Sequence, residues 1–420
     1  MIRPDSAYSW LVAVATLILA SLSFGAANSV PILYPEIAGE FGWGSSKVAS
    51  LYAATMVGGA IASLCLGRAL DRIGFFKIGV VATCATCGGM LLASRATNLW
   101  QFYLIYGVLV GGLGQGAFLS TLAAAVSQWF VRHRAMAVAI ALCGQGVGGL
   151  CIPPLLRAWS DMSGWRDALW LYALSCVVLM GASILLFSPR PPGEAGAAPQ
   201  GRSDPADAAS LRSAASLAPV PSDRRLPAPS PWLIVVLFIV LWWANSATVG
   251  VSSHLVAYGA MAGLTPVLAG TLMSVHYGVV LLARLSAGYW LDRVDHYSVL
   301  LVTTGIQIFG TLVVVFADSV TMVVVGAMAI GVGFGGYLPA YGAIVQSRYP
   351  RSQVGRRTTE LYLASFVGAG GGTWMVGALW EAGDGTFDLA FATMAALSVM
   401  AMVVLVSARS LIKPQPVSGR

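Results

Sequence analysis

The sequence predicts an all-α membrane protein of twelve spans in two pseudo-symmetric six-helix bundles. Three observations carry this. The 420 residues are 57% hydrophobic and 10% charged, with a mean hydropathy of +0.77; soluble domains hold about 45–50% apolar and about 25% charged residues. That much apolar surface needs lipid as part of its solvent. Twelve apolar stretches follow one another, each near the roughly 20 residues that cross a bilayer. The two halves also match at a constant offset of 221 residues.

In chain order, the first six spans fall at 8–33, 47–67, 77–94, 98–127, 135–157 and 166–188. The first is long and lacks a small-residue cleavage site, so it reads as a retained helix rather than a removed signal peptide. Cys65, Cys84, Cys87, Cys143, Cys151 and Cys176 lie in or beside these spans. Disulfides are not expected there, and Cys84-Ala-Thr-Cys87, despite its redox-motif spacing, sits inside an apolar helix. Residues 189–231 are rich in Pro, Ala, Ser and Arg and start Pro189-Arg190-Pro191-Pro192. Low hydrophobicity without periodicity predicts a disordered linker. It separates an N-terminal bundle (1–188) from a C-terminal one (232–409), which a short tail (410–420) follows. The second-half spans fall at 232–258, 265–290, 297–317, 319–346, 358–381 and 387–409.

An even number of spans returns both termini to one side. Nineteen Lys and Arg fall on that side and four, Lys47, Arg95, Arg157 and Arg166, on the other. This bias makes the termini and linker cytoplasmic, in a bacterial inner membrane. The net charge of +7 is therefore a topology signal; composition excludes nucleic-acid binding, general disorder and a secreted disulfide scaffold. The offset of 221 aligns Gly67/Gly288, Leu70/Leu291, Asp71/Asp292, Arg72/Arg293, Gly149/Gly370 and Gly164/Gly385, among others. Six spans per half make this a parallel repeat. Secondary transporters are often built so, with the substrate near the midplane between repeats.

Gly67-Arg-Ala-Leu-Asp71-Arg72-Ile-Gly74, in the short basic loop after the second span, resembles the signature loop of the major facilitator superfamily. Gly288-Tyr-Trp-Leu-Asp292-Arg293 is its weaker second copy. The resemblance implies a cytoplasmic latch in which Gly67, Asp71, Arg72, Asp292 and Arg293 hold that face closed when the carrier opens outward. A closer resemblance is to the monocarboxylate transporter family and its bacterial oxalate/formate-exchanger relatives. Asp5-Ser-Ala-Tyr8-Ser-Trp10 is similar to that family's first-helix motif in its acid and aromatics, without the glycines. Trp129-Phe130-Val-Arg132-His133-Arg134, continuing to Cys143-Gly144-Gln145, is similar to its second signature, with Gln145 in place of a serine.

Arg284 lies eight residues before Asp292, roughly 12 Å of helix from that cytoplasmic end. A charge at such depth costs about 2.5–3.5 kcal/mol even on a lenient scale. All seventeen acids can be assigned to loops or span ends, so no internal carboxylate is expected to pair with it. A long Arg could snorkel to the headgroups. The other reading is a cation facing a central cavity, whose planar guanidinium suits a substrate carboxylate. The family resemblance implies the second, because its members bind the carboxylate with an arginine at this place. Their coupling aspartate and first-helix lysine are replaced here by Val280 and Asn28. Asn28 can still bond a carboxylate or hydroxyl, or simply tie two helices together.

Tyr277 shares a helical face with Arg284, whereas His276 falls about 80° away. Tyr337 and Tyr341, one turn apart, are candidates to shape the cavity, with Phe118 and Gln145 chosen by depth and pseudo-symmetry. His254, toward the outer end of the seventh span, is a further substrate-site candidate. His254 and His276 are the candidate proton carriers, since histidine titrates near pH 6.5, or else they are interhelical hydrogen-bonding groups. His133 and His296 read as solvated loop residues. Glycine strings at 111–116, 331–336 and 368–372 imitate nucleotide loops but lie inside apolar spans, where close helix packing explains them.

No Walker loop, catalytic constellation or metal-ligand spacing is present, so neither enzyme activity nor a cofactor is expected. The sequence therefore reads as a monomeric secondary carrier of a small organic anion, most simply a monocarboxylate of the lactate or pyruvate kind, with or without protons. An oxalate-type exchanger, which would favour a second intramembrane cation, and a drug exporter are the alternatives within transport; a non-transporting receptor is the alternative outside it. The linker cannot build a core. Shortening 189–231 by about half should leave insertion and the monomer peak on size-exclusion chromatography unchanged, and loss of that peak contradicts this reading.

Overall fold

The computed structural model describes residues 4–131, 133–189, 230–291, 293–349 and 351–412. The N-terminal half holds α1 (Ala7–Ala27), α2 (Ser45–Ile73), α3 (Phe75–Ala93), α4 (99–127), α5 (Arg134–Ser163) and α6 (Trp165–Leu185). The C-terminal half holds α7 (Pro231–Met261), α8 (Pro266–Leu291), α9 (His296–Val315), α10 (Val320–Arg348), α11 (Arg351–Ala382) and α12 (Asp388–Ser407). These helices occupy the twelve predicted spans. Most of the linker, 190–229, lies outside the described residues. The face that carries the start of α1 and the end of α6 is called the terminal face below, and its opposite the distal face.

Local chemistry sets many boundaries. Asn98, Asp295 and Ser319 accept backbone N–H bonds at the starts of α4, α9 and α10, satisfying donors that the first turn leaves free. Pro231 opens α7 at a position where its missing N–H costs nothing. The repeat pair Gly164/Gly385 has one conformation in both copies, with φ of 88° and 79° at the α5–α6 and α11–α12 turns. Only glycine adopts such angles without strain.

Two elements differ from the sequence reading. The first span, expected to run unbroken over 8–33, stops at Asn28. A turn at Ser29–Ile32 and a second helix, Tyr34–Phe41, follow. Pro31 and Pro35 each remove a backbone donor, which favours a break here, although Pro153 and Pro154 in α5 and Pro339 in α10 are carried inside helices. The fourth span is not uniformly α-helical: Ile105–Gly116 is a π-helix. Its glycines press against α2, where a Cβ on Gly58 would overlap the Gly107 carbonyl and one on Gly111 the Thr55 carbonyl.

The core of the N-terminal half extends across the seam to Val256, Ala269, Met273, Tyr277 and Val280, and the C-terminal half buries two further clusters. The halves meet along two related seams, α5 against α8 and α2 against α11. The repeat pair Gly149/Gly370 marks both: a side chain at Gly149 would strike Tyr277 of α8, and one at Gly370 would crowd Ala53 of α2. A small shared cluster of Tyr52, Met56, Ala60, Val249, Phe366 and Ala369 adds to the second seam.

The distal face is tied by charges. Arg157, only 4% exposed, pairs with Glu36 at 2.5 and 2.6 Å and donates to the Ile32 carbonyl at 3.3 Å. Glu40 accepts from Arg166 at 2.7 and 3.2 Å and from the Trp165 indole at 2.6 Å. Across the halves, Glu381 of α11 accepts from the Ser46 backbone at 2.9 Å and from its hydroxyl at 2.7 Å, capping α2. The break in the first span places Glu36 and Glu40 on a helix facing α5 and α6 rather than in a free loop.

Desolvation raises the Glu40 pKa, but its bonds to Arg166 and Trp165 and the Arg166 charge outweigh this, so the net shift is downward. A carboxylate with a depressed folded pKa stabilises above its unfolded pKa, and that contribution fades as pH falls through the folded value. Glu40→Gln should therefore lower the melting temperature of the detergent-solubilised protein at pH 7. The gap should close as pH is lowered below the carboxylate range; a gap constant from pH 7 to pH 3 contradicts the assignment.

Candidate functional site

The site grows from α8 and the glycine string of α10. Gly331 and Gly335 lie one turn apart, and a side chain on either would strike the α8 backbone, at His276 and Val280 respectively. This close approach brings Phe334 of α10 to α8, with the Arg284 guanidinium 5.9 Å from its ring centroid. The Arg284 Nη1 donates to Gln145 Oε1 of α5 at 3.1 Å, across the seam between the halves. Cys143, Tyr277, Tyr337 and Tyr362 are near enough to act on its charge. None of the salt bridges found among the described residues involves Arg284.

Beside Gln145 lies a narrow cleft of about 30 Å³, lined among others by Ser23 and Phe24 of α1 and Gln115 and Phe118 of α4. Its walls continue to Leu122 and Ala141, toward the terminal face. Tyr277 packs edge-on against Phe24 at 5.1 Å and fills the space left by Gly149, and Leu281 sits against Gly146. Gln115 and Phe118 belong to the stretch where the π-helix rejoins α-helical geometry, a common setting for functional residues.

Among the predicted site residues, Gln145 and Phe118 line the cleft, Arg284 reaches it through Gln145, and Tyr277 meets its Phe24 wall. Asn28 is buried at the end of α1 and donates its amide to the Phe24 carbonyl at 2.9 Å. By helical rise, it stands about 16 Å in depth from Arg284. Tyr337 and Tyr341 are buried within the C-terminal core. Tyr337 donates to Asn245 Oδ1 at 2.9 Å, and Asn245 donates on to Ser365 at 2.5 and 3.1 Å. His254 is buried near the distal face between Tyr34 and Phe387, its Nδ1 2.9 Å from the Gly250 carbonyl. His276 places Nδ1 3.1 Å from the Ala327 carbonyl, and its buried Nε2 has no partner. Because a carbonyl only accepts, each Nδ1 carries the proton and each Nε2 is left as an acceptor.

The side chains of Asp71 and Arg72, and all of Asp292, lie outside the described residues, and Gly67 is described only as part of α2. Arg293 donates to the Tyr289 carbonyl at 3.1 Å and stacks on that ring at 3.6 Å. The two signature stretches touch. Asp5 accepts from the backbone of Val131 and His133, each at 3.2 Å, and Trp10 packs edge-on against Phe130 at 5.0 Å. His133, expected to be merely solvated, also meets Asp5 at 3.4 Å.

Sequence reasoning missed Ser23, Gln115, Phe334 and Tyr362. Gln115 and Phe334 were hidden inside glycine strings read for packing alone. Nothing in the sequence distinguishes Ser23 or Tyr362 from other polar residues in spans.

A family model described as Major Facilitator Superfamily matches residues 15–320 and 262–419. The MFS transporter asaE of Aspergillus flavus is 26% identical over 392 residues, covering 91% of this chain and 83% of that protein. Monocarboxylate transporter 11 of Homo sapiens is 30% identical over 205 residues, 47% of this chain and 42% of that protein. The match thus spans less than half of the human relative. Among solved structures, an inward-facing, occupied bacterial homolog of the human lysosomal transporter Spinster superposes with a TM-score of 0.70, at 14% identity and 97% coverage of both chains. A D-xylose-proton symporter superposes with a TM-score of 0.69, at 14% identity, over 94% of this chain and 96% of that one.

Proposed function

Since the chain belongs to the Major Facilitator Superfamily and is a multi-pass membrane transporter, we propose that its cargo is a small organic anion, a monocarboxylate of the lactate or pyruvate kind. The carrying observation is Arg284: a guanidinium inside the membrane, held by the neutral amide of Gln145, which lines a narrow cleft, and with no carboxylate bound to it among the described residues. A charge so placed is costly to leave unpaired, and a planar fork with free donors matches a carboxylate. No cation stands among the cleft's lining residues, so Arg284, bonded to the lining Gln145, is the one cation placed beside it, which favours one carboxylate over two. The likeness to monocarboxylate transporters supports the same class.

In this reading the halves rock about the two glycine-marked seams. The tied distal face and a cleft reaching toward the terminal face correspond to an inward-open state, with termini in the cytoplasm of a bacterial inner membrane. Arg284→Lys keeps charge but loses the bidentate fork. A charge-assisted bond is worth about 1.5–3 kcal/mol, so apparent affinity in proteoliposome uptake should fall roughly ten- to hundredfold, and Arg284→Ala should remove saturable uptake at normal expression. Uptake by Arg284→Ala at the parent's affinity overturns the assignment.

Should transport be coupled to protons, it proceeds without the lysine–aspartate pair that the family resemblance implies, because Asn28 and Val280 do not titrate. His254, nearer the distal face, and His276, whose buried Nε2 has no partner among the described residues, are then the candidate carriers. Replacing the responsible histidine with Gln should flatten the pH dependence of substrate-driven proton movement. If His254→Gln and His276→Gln both keep the parent's profile, the proton travels with the substrate or through water.

A further inference from the structure

Between the distal ends of α3 and α4 lies a groove of about 480 Å³ that is separate from the central cleft. Its polarity is graded with depth. At the rim stand Arg95 and Gln101; below them run Leu92, Leu104, Ile105 and Val108. The groove ends where α3 and α4 close on each other, Gly89 leaving just enough room for Val110. From Gln101 to Val108 the chain descends about 10 Å into the membrane. The exposed Leu104 and Val108, with Trp100 beside the rim, turn the same surface toward lipid, and an interfacial tryptophan marks the headgroup level.

Both rim groups are donors without acceptors. Arg95 is exposed and makes no side-chain bond among the described residues. Gln101 spends its Oε1 on the Thr97 backbone and hydroxyl, at 2.8 and 3.3 Å, which leaves its amide N–H groups free. Arg166 holds the connecting turn in place through the Ser94 and Ala96 carbonyls, both at 3.0 Å, on either side of Arg95. No acidic residue lines the groove. Donors at headgroup depth above an apolar channel match one molecule in order of polarity, a phosphate followed by a hydrocarbon chain.

We propose that this groove seats one phospholipid, its phosphate on Arg95 and Gln101 and one acyl chain along Leu104, Ile105 and Val108. The site rests on the membrane placement of the fold and is independent of the cargo assigned to Arg284. The test uses the full chain, stripped of lipid in detergent, with native mass spectrometry and thermal unfolding as readouts. Dioleoyl phosphatidylglycerol should bind with one tight site and raise the melting temperature. Dioleoylglycerol, which lacks the phosphate, and glycerol 3-phosphate, which lacks the chains, should each bind at least about tenfold more weakly, as loss of a charge-assisted contact or of the apolar contact requires. Arg95→Ala should weaken the lipid about tenfold, and Val108→Trp should do so by filling the channel. Absence of a tight site in the parent, parent-like binding by Arg95→Ala, or equal binding of glycerol 3-phosphate each overturns the proposal. The surface change at Arg95 keeps the test decisive even if Val108→Trp folds poorly.

Discussion

A single guanidinium inside the membrane is the constraint around which the central architecture is arranged. The cost of Arg284 at that depth is a few kcal/mol, comparable to a sizeable part of a protein's net stability. The described surroundings offset it only partly, through one neutral amide and one aromatic face. Phe334 reaches α8 because Gly331 and Gly335 let two helices touch backbone to backbone. The amide comes from the other half, so the cation sits on the seam about which the halves would move. A charge left short of partners, on the seam between the halves, is what the proposed carboxylate cargo would complete.

The distal ties complement this. Glu36 with Arg157 and Glu40 with Arg166 are internal to the N-terminal half and shape its distal rim, whereas Glu381 on Ser46 crosses between halves. The crossing tie is made of one exposed carboxylate and one helix start. Such contacts are individually weak.

The fold was legible in the sequence because apolar length and basic-loop bias are one-dimensional properties. The repeat was legible because Gly164 and Gly385 must both adopt positive φ. The break after Asn28 was less so: Pro31 and Pro35 announce it only once continuous hydropathy is discounted. The π-helical Ile105–Gly116 left no signal beyond its glycines. At the site, Arg284 was legible as a charge out of place, and Gln145 and Tyr277 through depth and helical phase. Tyr337 and Tyr341 share a face as expected, yet that face lies within the core of the C-terminal half, where Tyr337 bonds Asn245. Helical phase says which residues share a side, not which neighbour that side meets. The Arg157–Glu36 pair, 121 residues apart, is a product of tertiary packing and has no local trace.

The most direct measurement compares a carboxylic acid with its own amide on the unaltered protein. Lactate and lactamide have nearly the same size and the same hydroxyl, and differ in the charge that Arg284 would neutralise. A ligand that binds only the folded state raises the melting temperature, by an amount that grows with the logarithm of its concentration above Kd. Lactate should raise the melting temperature of the purified protein in this concentration-dependent way, and lactamide at equal concentration should not. An equal shift by both, or a shift by lactamide alone, would contradict a carboxylate at Arg284.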